Sequence, residues 1–205
     1  MQVYQKMIIA ASLAIGWTEL SAVTVSMVPG TSYQNIEGFG GGVVYYQSWA
    51  TLQDSAVREA IFDTAFTGLG LSIMRMGNWM QNESEGAAVQ YDTVVYNALK
   101  ARRPNAKIFM SSWSAPDSIK ANATVNGNGD SRSLNTLDKD SAGNFKYASF
   151  AHWWRETYEA YVALGITPDY ISIQNEPDMN ATYASTILDS VESDSIANYA
   201  AAFQA

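Results

Sequence analysis

Residues 170–178 read YISIQNEPD, a short run of strand-forming residues that passes directly into two amides, a carboxylate, a proline and a second carboxylate. Proline has no backbone N–H to donate within a sheet, so Pro177 is expected to end a strand at residues 170–174. Two interpretations are open at this point. The segment is either a polar strand end without further role or the place where Glu176 acts as a catalytic acid at the mouth of a barrel.

Three further predicted strands precede this one, at residues 33–37, 71–76 and 107–112. Helical spacing of apolar residues follows in residues 49–66, 92–105 and 145–165, and a fourth helix begins after a cap at Asp194 or Ser195. A polar insertion, residues 122–144, is expected to be a surface loop. Strand–helix units of roughly 30 or more residues indicate a parallel sheet with β-α-β crossovers. Four units are half of a (β/α)8 TIM barrel, although a doubly wound α/β sheet gives the same pattern.

The composition narrows the classes of function. The 205 residues are 47% hydrophobic and 16% charged, which is typical of one folded domain. The net charge of −8 excludes the basic surface of a nucleic-acid-binding protein and argues against an anionic membrane surface as partner. Many aromatic residues without positive charge suit a neutral ligand such as a carbohydrate, although most of these rings are expected in the core.

The chain has no cysteine and one histidine, His152. Disulfides, zinc–thiolate sites and cysteine nucleophiles are therefore excluded. His152 lies in a predicted helix and is expected to have a structural role, which leaves a Ser-His-Asp triad without a suitable base. No metal and no cofactor are expected.

The N-terminal residues have the layout of a signal peptide. One positive charge at Lys6 precedes an apolar run, MIIAASLAIGW, and residues 1–22 end on the small residue Ala22. The run is too short to span a bilayer, so we expect a secreted protein, with a buried N-terminal strand or helix as the alternative. A further strand is predicted at residues 23–28.

The glycine run GFGGG, residues 38–42, does not fit a dinucleotide-binding loop. The G-x-G-x-x-G spacing requires glycine where Val43 or Tyr45 stands. The glycines instead indicate a close backbone approach that a side chain would prevent, beside a substrate or an adjacent strand.

The ends of the other three predicted strands carry side chains suited to a sugar site. Arg75 is expected either to orient a carboxylate or a ligand hydroxyl, or to form a structural ion pair. Trp113 is expected to stack on a sugar face, with a role in the core as the alternative. We expect rings and apolar surface to surround Glu176, an environment that keeps a general acid protonated. Asn175 is placed to hold a substrate hydroxyl, and Pro177 to stiffen the backbone.

Four motifs in order, IEGFGG, LSIMRM, SSWSAPDSIKAN and ISIQNEP, resemble the N-terminal half of glycoside hydrolase family 30. This family includes glucuronoxylanases, β-1,6-galactanases and glucosylceramidases. The resemblance implies that residues 33–205 are the first half of a (β/α)8 catalytic barrel and that residues 23–32 add a strand to a β-sandwich side domain. It also implies retaining hydrolysis of β-glycosidic bonds by two glutamates.

The resemblance assigns roles by motif. Glu176 corresponds to the acid/base, Asn175 to a residue that binds the sugar beside the cleaved bond, Trp113 to a wall of the subsite, and Arg75 to support of the catalytic carboxylates. The family's nucleophile lies near the seventh strand, so no residue of this chain corresponds to it.

These implications lead to one expectation and several alternatives. A retaining glycosidase needs two carboxyl groups about 5–5.5 Å apart, so the chain alone is expected to be inactive. We expect it to be part of a hydrolase of a plant-type polysaccharide such as xylan. A β-1,6-galactanase, a glucosylceramidase-like enzyme and a non-catalytic carbohydrate-binding protein remain alternatives, and the oligomeric state stays open. Glu83 and Glu85, in the loop after Arg75, are expected to be solvated.

Overall fold

The structure is a computed structural model that describes residues 30, 34–81, 88–127, 129 and 131–205. The predicted signal peptide, the predicted strand at residues 23–28 and the two loop glutamates, Glu83 and Glu85, lie outside the described residues. The chain divides into two units, residues 1–37 and residues 38–205. In the first unit, residues 34–37 adopt no regular secondary structure, and the elements below all belong to the second.

Four parallel strands form one sheet, in which each strand pairs with the next along the chain. They are β1 (Gly40–Gly42), β2 (Ile73–Gly77), β3 (Lys107–Ser111) and β4 (Tyr170–Ser172). A doubly wound sheet reverses its strand order, whereas this order runs on in one direction, as in a TIM barrel. The predicted parallel sheet is confirmed, and its topology is that of part of a (β/α)8 barrel.

The described residues form five α-helices: α1 (Gln47–Thr51), α2 (Ser55–Phe62), α3 (Val89–Arg102), α4 (Tyr147–Ala163) and α5 (Tyr199–Gln204). A π-helical segment, Asp63–Gly68, extends α2, and two 3₁₀ turns, Asp117–Ile119 and Arg132–Leu134, lie between β3 and α4. None of the helices that the structure describes is long and apolar enough to cross a membrane.

The strand predicted at residues 33–37 was wrong, because the described residues 34–37 form no strand and β1 begins at Gly40. Strand propensity pointed to the residues before the glycine run, but proximity to β2 decides where pairing occurs. A Cβ atom on Gly40 would lie 2.1 Å from the carbonyl oxygen of Ile73, so only glycine fits there. The predicted close backbone approach is thereby confirmed, and the adjacent strand is its partner.

Two helix predictions also need correction. Residues 49–66 form two helices instead of one, because α1 ends at Thr51 and α2 starts again after Asp54. The cap of the last helix is Asn198, whose side chain accepts the Ala201 N–H at 2.8 Å, and not Asp194 or Ser195. Before this cap, Ile196 is held in a bridge to Ser193 and Asn198 in a bridge to Asp189, so the helix does not begin earlier.

The core lies between the sheet and its helices. Alternate residues of β2 and β3, Met74, Met76, Ile108 and Met110, are buried in one cluster with residues of α3 and α4. The register pairs Arg75 with Phe109, and Phe109 with Tyr170, on the opposite face. Arg75, Phe109 and Tyr170 on that face are half-buried or exposed among the described residues.

The polar insertion at residues 122–144 is a surface loop only in part. Asn135, Thr136 and Leu137 are buried, and residues 126 and 136 pair with Ala184 and Ile187 in isolated bridges. The composition predicted a solvated insertion, but several of its backbone groups form hydrogen bonds with the loop after β4.

Candidate active site

The four sequence-predicted site residues come together at the ends of β2, β3 and β4. Arg75 lies on β2, Trp113 lies two residues after β3, and Asn175 and Glu176 follow β4. The Asn175 N–H donates to the Ser112 carbonyl at 2.7 Å, so the chain that leaves β4 runs beside the chain that leaves β3. Parallel strands thus deliver side chains that are distant in sequence to one edge of the sheet.

Arg75 anchors the site through its guanidinium group. Its Nη2 donates to Asn175 Oδ1 at 2.5 Å and to Ser111 Oγ at 3.3 Å, and the group lies 4.6 Å from the centroid of the Trp113 ring. Burial lowers the pKa of Arg75, and the nearby charge of Glu176 opposes this shift. Arg75 Nε is buried and has no hydrogen-bond partner among the described residues. Arg75 therefore reaches the carboxylate through Asn175 and not through a direct ion pair.

One oxygen of the Glu176 carboxylate accepts two hydrogen bonds from side chains. Its Oε2 accepts from Asn175 Nδ2 at 3.1 Å and from the Tyr183 hydroxyl at 3.0 Å. The backbone φ of Glu176 is 45°, a strained conformation for a residue other than glycine, and such strain concentrates at functional sites. The side chain is exposed, so the predicted apolar enclosure is not formed by the described residues.

Three rings form an aromatic wall beside the carboxylate: Tyr45, Trp79 and Trp113. Trp79 stacks on Trp113 with centroids 5.4 Å apart, and Tyr45 meets their rings at 5.1 and 5.7 Å. A cavity of about 490 Å³ is lined by Val44, Tyr45, Trp113 and Tyr183. Trp113 is only 7% exposed, so it both packs into this cluster and lines the cavity.

A buried hydrogen-bond network supports the aromatic wall from behind. The backbone N–H of Trp79 donates to the Tyr161 hydroxyl at 3.1 Å, and that hydroxyl lies 3.2 Å from both the Gly77 carbonyl and Asp92 Oδ2. Gln47 Nε2 donates to the other oxygen of Asp92 at 3.1 Å. Burial raises the pKa of Asp92 to about 7, although both hydrogen bonds act in the opposite direction.

Sequence reasoning missed several of these residues. Trp79 lies two residues after β2, the same offset as Trp113 after β3, and this shared offset was a usable signal. Tyr45 lies three residues after the glycine run, for which the sequence predicted a close backbone approach but no role for this ring. Tyr183 and Asp92 carried no signal, because neither stands at a predicted strand end.

The chemistry that these groups offer is proton transfer next to an aromatic surface. Glu176 is a carboxyl group that can donate or accept a proton, and the wall offers flat faces to the C–H groups of a sugar. Among the residues that the structure describes, no three His, Asp or Glu side chains converge in a way that would hold a metal ion.

Comparison with known proteins finds relatives among polysaccharide-degrading enzymes, while no family model matches the chain. Glucuronoxylanase XynC of Bacillus subtilis is 30% identical over 173 residues, which cover 81% of this chain and 36% of that protein. Endo-1,6-β-D-glucanase BGN16.3 of Trichoderma harzianum is 29% identical over 196 residues, with coverages of 82% and 40%.

A solved structure supports the same fold. The catalytic domain of the GH30 xylanase C from Talaromyces cellulolyticus superposes with a TM-score of 0.59 at 20% identity, over 78% of this chain and 41% of that domain. The chain therefore spans well under half the length of the proteins it matches.

Proposed function

The chain belongs to glycoside hydrolase family 30, and from this premise we propose that it forms part of a retaining β-glycosidase in which Glu176 is the acid/base. The observation that carries the proposal is the position of the Glu176 carboxylate. It is held through Oε2 at the end of β4, in the same loop as Tyr183, which lines the aromatic cavity. A carboxyl group in this position can deliver a proton to a glycosidic oxygen while the sugar rests against the rings.

The reaction has two steps. Glu176 gives its proton to the leaving oxygen while a second carboxylate attacks the anomeric carbon, and Glu176 then takes a proton from the water that releases the sugar. Asn175 lies between Arg75 and Glu176, where its amide orients the acid and meets a sugar hydroxyl. Trp113 supplies a stacking face.

The second carboxylate is assigned to a part of the enzyme outside these 205 residues. Among the described residues, no carboxylate is hydrogen-bonded to Arg75, and Glu176 is the one carboxylate hydrogen-bonded to Asn175. Arg75 Nε, buried and without a partner there, is the donor that we assign to the nucleophile. The 205 residues alone are accordingly expected to be inactive.

The substrate is a β-linked polysaccharide. The Bacillus relative favours a glucuronoxylan, and the Trichoderma relative favours a β-1,6-glucan. We assign residues 1–22 to a signal peptide and residues 23–32 to a strand of a side β-domain, which makes the enzyme a secreted one.

The experiment uses the full-length protein encoded by the gene and its Glu176→Gln variant. The wild type is expected to hydrolyse glucuronoxylan or β-1,6-glucan, and the variant to lose this activity by several orders of magnitude. Aryl glycosides with good leaving groups need no acid, so the variant should still release aryl alcohol in the first step. Asp178→Asn, two residues away at an exposed position, serves as the control. Unchanged turnover of polysaccharide by Glu176→Gln would exclude the acid role.

A further inference from the structure

Among the described residues, Tyr183 makes the one hydrogen bond to the Glu176 carboxylate that does not come from its neighbour in sequence. The phenol oxygen lies 3.0 Å from Glu176 Oε2, the oxygen that also accepts from Asn175. Oε1 receives no hydrogen bond from the described residues. The two oxygens of the carboxyl group are therefore not equivalent.

The Tyr183 hydroxyl has one proton to donate and two neighbours within reach. Besides Glu176 Oε2, it lies 3.5 Å from Met179 Sδ. A carboxylate is a much stronger acceptor than a thioether, so the proton is directed to Glu176. Burial raises the pKa of Tyr183, and the carboxylate raises it further, so the phenol stays protonated as a donor.

The backbone around Tyr183 is held by residues 125–127, which we call the strap. The Gly127 N–H donates to the Tyr183 carbonyl at 2.9 Å, and the Ser185 N–H donates to the Val125 carbonyl at 3.2 Å. A Cβ atom on Gly127 would lie 2.0 Å from the Ala181 carbonyl oxygen, so only glycine lets the strap approach this loop.

The buried side chain of Lys120 connects the strap to the loop that carries Tyr183 and Ser185. Lys120 is 3% exposed, and its Nζ lies within hydrogen-bond distance of the carbonyls of Ser185 (2.5 Å), Val125 (3.0 Å) and Asn126 (3.3 Å) and of Asn135 Oδ1 (3.0 Å). Burial lowers the pKa of Lys120 to about 7, and the hydrogen bonds between its Nζ and these oxygens fix the two segments to each other. The position of Tyr183 is thus set by the insertion that composition marked as a solvated loop.

We propose that Tyr183 is a positioning residue that determines which oxygen of Glu176 carries the catalytic proton. Tyr183 and Asn175 donate to Oε2 and hold it as the oxygen without a proton, so the proton resides on Oε1. In the first step the Oε1–H bond breaks and the proton passes to the glycosidic oxygen as its bond to the anomeric carbon breaks. In the second step Oε1 takes a proton from a water molecule as the water oxygen bonds to the anomeric carbon and the bond from that carbon to the second carboxylate breaks. This inference rests on the proposed function of Glu176 as acid/base.

Loss of the Tyr183 hydroxyl should have an effect on pH dependence that loss of a purely structural contact would not have. A hydroxyl that donates to the carboxyl group favours its ionised form, so the loss of that hydroxyl lets Glu176 keep its proton to higher pH. In Tyr183→Phe, the basic limb of the pH profile of kcat/KM should move to higher pH by about half to one unit, the effect of one hydrogen bond to an exposed charged group. The kcat on polysaccharide should fall several-fold, because the acid is less well oriented.

The test compares the full-length wild type with Tyr183→Phe and Tyr45→Phe. The Tyr183 side chain is 43% exposed, so the loss of its hydroxyl leaves the core intact. Tyr45 lines the same cavity, but its hydroxyl has no hydrogen-bond partner among the described residues, so its removal should leave the basic limb in place. An upward shift in Tyr183→Phe alone supports the proposal. An unchanged limb, a downward shift, or an equal shift in both variants overturns it.

A second variant reaches Tyr183 without altering it. Gly127→Ala forces the strap away from the loop and should also move the basic limb upward, whereas an unshifted limb in a folded Gly127→Ala protein would contradict the role of the strap. The Glu176→Gln measurement keeps the two proposals separate. If it abolishes polysaccharide hydrolysis while Tyr183→Phe shifts nothing, the inference about Tyr183 fails and the proposed function stands.

Discussion

Replacement of Asp92 by asparagine should change how the stability of the protein depends on pH. Asp92, on α3, is fully buried against Gln47 of α1 and Tyr161 of α4, and burial raises its pKa from 3.8 to about 7. Because the folded state holds this proton more tightly than the unfolded state, the stabilisation is fully present below about pH 4. It is lost as pH rises toward and through about 7.

The size of the effect follows from the two pKa values. They differ by about three units, and each unit corresponds to 1.36 kcal/mol, so the wild type should lose up to about 4 kcal/mol of unfolding free energy between pH 4 and 8 through this one group. Asparagine stays neutral and can still accept from Gln47 and meet the Tyr161 hydroxyl. The free energy of unfolding of Asp92→Asn, measured relative to that of the wild type, should therefore be higher at pH 8 than at pH 4.

The assay is thermal unfolding of the full-length protein and its variants between pH 4 and 8. The difference in Tm between Asp92→Asn and the wild type should grow with pH by several degrees. Asp54→Asn removes the same charge at an exposed position where the side chain makes no cap hydrogen bond, and it serves as the control. Parallel profiles of the wild type and Asp92→Asn would refute the reasoning.

Two further substitutions test the strand packing and the anchor of the site. Gly40→Ala should lower the free energy of unfolding by roughly 2 kcal/mol or more in denaturant unfolding, because the new Cβ meets the Ile73 carbonyl. Gly41→Ala is the matched control, since its Cβ would find its nearest neighbour at 3.8 Å. Equal losses of stability in the two variants would contradict the close-approach argument. Arg75→Met should lower kcat/KM on polysaccharide by about 100-fold, because Asn175 loses the hydrogen bond that anchors it. Arg75→Lys keeps the charge but not the planar guanidinium group, so it should recover little of the lost kcat/KM. Full activity in either variant would contradict the role of Arg75 as the anchor of Asn175.

The sequence predicted much of the sheet because β2, β3 and β4 are short apolar runs bounded by polar residues. The structure places β3 at Lys107–Ser111 and starts β4 at Tyr170, within a residue or two of the expectation. The first strand could not be found in this way. A run of three glycines has no strand propensity, and its pairing depends on space beside Ile73 that only the folded chain reveals.

The site was predictable where a strand end carries an unusual side chain. Arg75, Asn175 and Glu176 were expected to meet, and the structure joins them in one hydrogen-bonded chain. Tyr183 could not be foreseen, because its approach to Glu176 depends on Lys120 and on the strap, and composition assigned the strap to a surface loop.

The most direct test of the central claim is chemical rescue of the Glu176→Ala variant in the full-length protein. With an activated aryl β-glycoside the first step needs no acid, so the variant should stall at the second step, where no base remains to activate water. Azide needs no base, so added azide should accelerate turnover and yield a β-glycosyl azide of retained configuration. A variant that azide does not accelerate, or a product of inverted configuration, would contradict the assignment of Glu176 as the acid/base of a retaining enzyme.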